Sequence, residues 1–70
     1  MTEVHLDRYR DGETTVNVMI EITKTGAGVE RQRRPMEGTR LYPDGRREKL
    51  KGAALERFLE QHQGQGRRVV

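Results

Sequence analysis

Hydrophobic and polar residues alternate most clearly between Thr14 and Lys24. Val16, Val18, Ile20 and Ile22 recur at every second position, and polar residues or methionine lie between them. A period of two places all four side chains on one face of a β-strand. Because all four are β-branched, they predict a central strand that is buried on one face.

A shorter alternating segment, residues 3 to 9, predicts a strand that precedes the central one. Val4 and Leu6 share one face of it. The other face carries His5, Asp7 and Tyr9. Since the aliphatic pair matches the stripe of the next strand, we expect Val4 and Leu6 to face the core.

Three short segments carry the residues of tight turns. Asp11-Gly12 predicts a two-residue hairpin turn with two positive-φ positions, and Thr25 to Gly28 predicts a second reversal because it holds two glycines. Pro43 to Gly45 predicts the turn of a second hairpin between residues 39 to 42 and 46 to 50.

A third strand is predicted from Val29 to Arg34, where only the first residue is apolar. Pro35 follows directly, and a proline cannot donate a hydrogen bond to a neighbouring strand. Charged side chains and proline are typical of strands at the edge of a sheet. We therefore expect an edge strand, followed by a connection at Met36 to Gly38.

From Gly52 the hydrophobic period changes to that of an amphipathic helix of about three turns. Its apolar stripe consists of Ala54, Leu55, Phe58, Leu59 and His62. The glycines after Gln63 predict the end of the helix. The stripe is expected to pack on the apolar face of the central strand.

These elements predict an α+β fold: a small antiparallel sheet of three or four strands, built from two hairpins, with one C-terminal amphipathic helix packed on one face. The domain is expected to span residues 1 to 63, and residues 64 to 70 to form a flexible basic tail. The predicted core consists of Val4, Leu6, Val16, Val18, Ile20, Ile22, Val29, Leu41, Leu50, Leu55, Phe58 and Leu59.

The composition offers little for catalysis. Seventy residues with 31% apolar side chains support one thin core, and there is no cysteine for a disulfide or a thiolate site. His5 and His62 are not spaced as metal ligands, and Gly26 to Gly28 is interpreted as a turn because no helix follows it. We expect no enzyme, cofactor or small-molecule substrate. With no signal peptide or long apolar run, we also expect a cytoplasmic protein without membrane contact.

Charge divides the chain into two unequal parts. Residues 1 to 30 carry three basic and six acidic side chains, and residues 31 to 70 carry eleven basic and five acidic ones. Arginine outnumbers lysine in the basic part, and its planar guanidinium suits phosphate and guanine. The predicted nucleic-acid-binding residues are Arg31, Arg33, Arg34, Arg40, Arg46, Arg47, Lys49 and Lys51.

Alternate residues of a strand share a face, so Arg31 with Arg33, and Arg47 with Lys49 and Lys51, are expected to form two rows. Duplex is favoured over single-stranded nucleic acid, because only Tyr9 could provide a stacking surface. Three antiparallel strands, a following helix and basic side chains on the sheet resemble, in architecture, the arm-type DNA-binding domains of tyrosine recombinases. The resemblance covers residues 3 to 62 and implies a sheet that binds DNA.

Two alternatives remain. The basic residues are also explained by a solvated surface with no partner. A small inhibitor or adaptor of phage or plasmid type would instead bind a protein through its edge strand or its acidic first hairpin, as a monomer or a homodimer. The residues assigned to that alternative are Asp7, Asp11, Glu13, Met19 and Tyr42.

Overall fold

The computed structural model describes every residue from Met1 to Val70 and has one antiparallel sheet and one helix. The predicted small α+β fold is confirmed, although the sheet has five strands rather than three or four. The elements are β1 (Thr2–Asp11), β2 (Thr14–Lys24), β3 (Glu30–Leu41), β4 (Arg47–Leu50), α1 (Gly52–Gln61) and β5 (Arg67–Arg68). The strands lie in the order β4-β3-β2-β1-β5, so β2 is central.

The core forms where α1 packs on the sheet. The side chains of Leu55 of α1 and Val18 of β2 both lie close to Gly38 of β3, and the ring of Phe58 meets that of Tyr9 edge-on at 5.4 Å between centroids. The predicted stripe of β2 is confirmed, since all four of its aliphatic residues are buried. The complete core consists of Tyr9, Val16, Val18, Ile20, Ile22, Leu50, Leu55 and Phe58, with Leu59 partly buried against it.

The prediction for β1 was wrong about which face is buried. Val4 is 53% exposed and Leu6 is half-buried on the opposite face of the sheet from α1. The buried positions are His5, Asp7 and Tyr9. The reason is the register: these three residues lie opposite Ile20, Val18 and Val16. Directly opposite residues of an antiparallel pair point to the same face, so burial of the β2 stripe carries its partners inward.

The first hairpin closes through Gly12 and Glu13, because Asp11 pairs with Thr14. Gly12 has φ +62°, and no residue other than glycine has a positive φ. The turn therefore begins one residue later than predicted and contains one positive-φ position instead of two.

The helix is too short to cover the whole stripe. Ten helical residues extend about 15 Å, whereas the stripe from Val16 to Ile22 extends about 20 Å along β2. Ile20 and Ile22 lie beyond the half of β2 that Leu55 and Phe58 cover. Their neighbours across the strands are His5 and Pro35 for Ile20, and Glu3 and Arg33 for Ile22. The helix accordingly covers only part of the predicted face.

Polar side chains form ion pairs around this second half of the core. The carboxylate of Glu3 lies 2.9 Å from His5 Nε2 and 3.1 Å from Lys24 Nζ. Arg33 lies 3.6 Å from the buried Asp7 and 2.9 Å from Glu30. Hydrogen bonds from His5 and Lys24 lower the pKa of Glu3, which keeps this carboxyl ionised.

The third strand is twice as long as predicted and continues through Pro35 to Leu41. Met19 pairs with Glu37 and Ile20 with Pro35, so Met36 is the extra residue of a β-bulge. A proline is tolerated there because β4 pairs only with residues 38 to 41 and leaves this half of β3 as an edge. The edge position was predicted correctly, whereas the connection at residues 36 to 38 was wrong.

Two further core assignments were wrong. Val29 precedes β3 and is 61% exposed. Leu41 is half-buried on the face opposite α1, because it lies opposite Thr15 rather than a member of the buried stripe. The second hairpin itself forms as predicted: Tyr42 donates its backbone N–H to the carbonyl of Arg46 at 3.0 Å, and Gly45 has φ +94°.

The C-terminal residues that the sequence predicts as a flexible tail join the sheet. Arg67 and Arg68 pair with Arg8 and Asp7, and Val69 donates its backbone N–H to Leu6 at 2.8 Å. The loop before β5 passes so close to the ring of Tyr9 that only glycine fits at position 66.

Replacing Gly66 by alanine is expected to lower the free energy of unfolding by about 1–3 kcal/mol, the usual effect of overpacking. The new methyl carbon would lie 2.5 Å from Cζ of Tyr9. Gly26→Ala is the matched control, because a methyl group there meets no atom within 4 Å. Urea denaturation of both variants measures the difference, and equal stabilities would show that the C-terminal loop does not pack on Tyr9.

Candidate nucleic-acid interface

The face of the sheet opposite α1, called the open face, is covered by no helix. Strand alternation and pairing place eighteen side chains on it. They are Thr2, Val4, Leu6, Arg8, Arg10, Thr15, Asn17, Met19, Glu21, Thr23, Gln32, Arg34, Glu37, Thr39, Leu41, Arg47, Lys49 and Arg67. Three open depressions, lined mostly by these residues, follow one another across this face.

Two rows of the open face end in basic side chains. In the first row, β-pairing places in succession Arg67, Arg8, Asn17, Thr39 and Lys49. Four strand spacings separate its ends, which is about 19 Å. The middle of the row is uncharged and can donate and accept hydrogen bonds.

The second row runs parallel to the first, two residues along each strand. It consists of Arg10, Thr15, Leu41 and Arg47. Its ends are three strand spacings apart, about 14 Å. Together the rows give the open face two basic margins: Arg8, Arg10 and Arg67 on one side, and Arg47 and Lys49 on the other.

Most of these cations are held by uncharged partners or by none. Arg8 donates from Nε to Oδ1 of Asn17 at 3.2 Å, and Arg10 donates to Oγ1 of Thr15 at 3.1 Å. The ten ion pairs of the molecule include neither of them, nor Arg47 or Arg67. Their charge is therefore not neutralised by a neighbouring carboxylate.

The acidic residues of the open face are few. Glu21 pairs with Arg34 at 3.1 Å, and Glu37 pairs with Lys49 at 3.5 Å. With six basic and two acidic side chains, the open face has a net charge of +4. The sheet face towards α1 carries Lys24, Arg33, Arg40 and Arg68 against Glu3, Asp7, Asp11, Glu30 and Glu48. Its net charge is −1, so the two faces of the sheet are oppositely charged.

The eight basic residues singled out in the sequence do not form one surface. Arg34, Arg47 and Lys49 lie on the open face. Arg46 belongs to the second turn, where it pairs with Asp44 at 2.7 Å and stacks over a tyrosine ring. Lys51 precedes the first turn of α1.

The expected row of Arg31 and Arg33 is interrupted. Gln32 pairs with Thr23 but Glu30 pairs with Lys24, so Arg31 is the extra residue of a second irregularity in β3. Arg33 lies on the α1 side, with Asp7 and Glu30. Both arginines belong to the exposed edge of β3, away from the two basic margins.

Arg40 is enclosed in the structure rather than presented to solvent, since its side chain is only 17% exposed. It donates to Asp11 at 2.6 Å and to Thr14 at 2.9 Å, and its guanidinium lies 5.5 Å from the centre of the Phe58 ring. Glu48 is also within 3.5 Å. Arg40 thus joins the first hairpin, β3, β4 and α1.

The sequence patterns did not predict three arginines of the basic margins: Arg8, Arg10 and Arg67. Arg8 and Arg10 follow Val4 and Leu6 in the same alternation, so assigning that face to the core hid them. The sequence did contain a signal for the correct face. A two-residue turn pairs the odd-numbered residues of β1 with the even-numbered residues of β2, which include the buried stripe, so the even-numbered Arg8 and Arg10 must lie on the other face. No sequence pattern indicates that Arg67 returns to β1, since β5 contains only two residues.

The residues assigned to a protein-binding alternative are also dispersed. Asp7 is buried beside Arg33, and Asp11 is engaged by Arg40. Glu13 lies exposed in the first turn, Met19 on the open face and Tyr42 in the second turn. The first hairpin therefore does not present a continuous acidic surface.

The two histidines lie on the α1 side of the sheet. The ring of His62 stacks on Phe58 with 4.1 Å between centroids, and its Nδ1 donates to the carbonyl of Phe58 at 2.8 Å. His5 bonds to Glu3. No group of three or more His, Asp or Glu side chains is placed to bind a metal ion.

No family model matches the chain, and no curated protein or solved structure is significantly similar to it. Its single helix is neither long nor apolar enough to cross a membrane.

Removing the carboxylate of Asp11 is expected to lower the free energy of unfolding at neutral pH. It is also expected to make this free energy less dependent on pH in the acid range. The hydrogen bond from Arg40 lowers the pKa of Asp11 below its ordinary value, an effect that burial partly opposes. A lowered folded pKa stabilises the fold above the unfolded pKa, about 3.9, and this contribution is lost as the pH falls through the folded pKa. Asp11→Asn should lose about 1 kcal/mol at neutral pH, and less in acid.

The free energy of unfolding, measured at neutral pH and below the pKa of a free aspartate, tests this expectation. Glu13→Gln is the control, since Glu13 is exposed and takes part in no ion pair. A pH dependence that is the same in Asp11→Asn and in the unaltered protein would contradict the role given to the Arg40 pair.

Proposed function

We propose that this protein is a non-enzymatic binding module whose open face contacts the phosphates of duplex nucleic acid. The observation that carries the proposal is the set of arginines on its two margins that take part in no ion pair: Arg8, Arg10, Arg47 and Arg67. Cations without a carboxylate partner are free to replace the counterions of a phosphate backbone. Arginine binds phosphate through a planar, bidentate pair of donors.

The spacing of the margins suits a duplex. The rows are about 14 and 19 Å long, and the major groove of B-DNA is about 12 Å wide between two phosphate backbones. Such a face is wider than the groove, so it would span it from backbone to backbone without inserting deeply. Asn17, Thr39 and Thr15 would then face the groove between the two margins.

Single-stranded nucleic acid fits the open face less well. Binding of unpaired bases relies on aromatic side chains on which the bases stack. Tyr9 and Phe58 are buried under or within α1, and Tyr42 is occupied by the guanidinium of Arg46 at 4.6 Å. The open face itself carries no aromatic residue.

The alternative of a protein partner keeps one supporting feature, the unpaired half of β3. Residues 30 to 36 have no neighbour on their outer side. Against it, Pro35 removes one backbone donor, and the charges of this edge disfavour strand addition. The duplex hypothesis is therefore preferred.

Mixed-sequence duplex is expected to bind with an affinity that falls steeply as salt rises. If the five margin cations each contact a phosphate, the slope of log K against log salt is about −4 to −5. The double variant Arg47→Gln/Lys49→Gln should reduce the steepness by about 2, since each lost phosphate contact removes about one unit. Fluorescence anisotropy at several salt concentrations measures both quantities.

Arg57→Gln is the matched control for this experiment, because Arg57 is exposed on α1 and takes part in no ion pair. It removes one positive charge from the other side of the molecule, against two in the margin variant, so an effect of net charge alone would be half as large. Absence of binding at low salt, or a loss in the margin variant no more than twice that in the control, would exclude the open face as the interface.

Glu37→Gln is expected to strengthen duplex binding. Glu37 lies on the open face and pairs with Lys49, so its removal frees a cation and deletes a repulsive charge. The gain should be several-fold at low salt and disappear as salt screens the interaction. Glu56→Gln on the exposed side of α1 serves as control. Weaker binding by Glu37→Gln would contradict the proposed orientation of the duplex.

A further inference from the structure

Three arginines of one margin line a single depression between β1 and the C-terminal segment. Arg8 and Arg10 are two residues apart on the same face of β1, about 7 Å, and Arg67 lies directly opposite Arg8 on β5. The depression is lined by Arg8, Arg10, Gly64, Gln65, Arg67 and Val69. No carboxylate belongs to its lining.

The walls of this depression are held by the main chain. Val69 donates its backbone N–H to the carbonyl of Leu6 at 2.8 Å, and Leu6 donates to Val70 at 3.2 Å. On the loop side, the close approach of Gly66 to Tyr9 fixes the path of the chain between Gln65 and Arg67. Arg67 is therefore positioned by the main chain around it and not by a charged neighbour.

Two of the three guanidinium groups are also oriented. Arg8 uses Nε to bond Asn17, which leaves both of its terminal nitrogens without a protein partner, and Arg10 uses one terminal nitrogen to bond Thr15. Arg67 makes no side-chain hydrogen bond or ion pair. Like charges around one depression repel each other, and an anion bound between them would remove that repulsion.

We propose that this depression, called the arginine pocket, binds a phosphate monoester. A monoester carries a charge close to −2 at neutral pH and three acceptor oxygens, which matches three arginines better than the single charge of an internal phosphodiester. On a nucleic acid, such a group is the terminal phosphate of a strand. The identification of that source rests on the proposed function, whereas the chemistry of the pocket does not.

A titration with inorganic phosphate tests the pocket by itself. In NMR spectra, the arginine side-chain Nε–H signals of Arg8, Arg10 and Arg67 are expected to shift together with a common saturation, while that of Arg57 stays unchanged. Arg67→Gln should weaken this binding about tenfold, the usual effect of one charge-assisted hydrogen bond. Arg67→Lys should recover only part of it, because lysine lacks the planar pair of donors. Unselective shifts of all arginines would overturn the pocket.

A comparison of short duplexes with a 5′-phosphate or a 5′-hydroxyl identifies the source of the phosphate. The phosphorylated duplex is expected to bind about tenfold more tightly, and Arg67→Gln should abolish that preference, whereas Arg47→Gln/Lys49→Gln on the other margin should weaken binding of both duplexes and keep the preference. Equal affinities would overturn the terminal-phosphate assignment. If phosphate binds the pocket but neither duplex binds, the pocket is a site for a small phosphate ester, and the proposed function is wrong.

The melting temperature of Arg67→Gln shows whether the variant loses phosphate binding only because it is less stable. Arg67 is exposed, so the variant should melt at the temperature of the unaltered protein. If it instead melts lower and the Arg67→Lys variant restores both stability and phosphate binding in full, Arg67 acts by holding β5 in place, and its assignment as a phosphate ligand is overturned.

Discussion

Burial of the aliphatic stripe of β2 is the constraint on which the other features depend. Val16, Val18, Ile20 and Ile22 are the least exposed large side chains of the sheet, and they must face α1 because no other layer exists. Once they do, strand pairing determines which residues of β1 and β3 share that face. The location of each charged side chain on the sheet is a consequence of this single choice.

The helix is too short to bury the whole aliphatic stripe. Since α1 covers only half of the stripe, charged side chains surround the other half, and most sheet acids are drawn to the α1 side as their partners. Arg40 completes this arrangement by joining Asp11 to Phe58 across the layers. The open face is left with an excess of arginines whose charge the protein does not neutralise, and this imbalance is the physical basis of the proposed phosphate contacts.

The fold was largely predictable because its strongest patterns are local. The period-two stripe of β2, the period of α1 and the glycine-containing turns depend on neighbours within a few residues, so β2, the helix and both hairpins could be located from the sequence. The bulge at Met36 could not be located from the sequence. A proline usually marks the end of a strand, and Pro35 is accepted within β3 only because that part of the strand lies at the edge of the sheet. The burial of Tyr9 in place of Leu6 was mispredicted for a different reason, since a period of two does not say which face is inside.

The sequence by itself determined the class of the fold, the identity of the central strand and helix, and the richness of the chain in arginine. Only the tertiary structure decided which arginines lie together. Arg33 and Arg40, two members of the predicted basic cluster, form ion pairs with Asp7 and Asp11. Arg8 and Arg67 come together from opposite ends of the chain. The physical reason is that ion pairing and surface charge depend on distances across strands, which register and the return of the C-terminus establish and which no local pattern encodes.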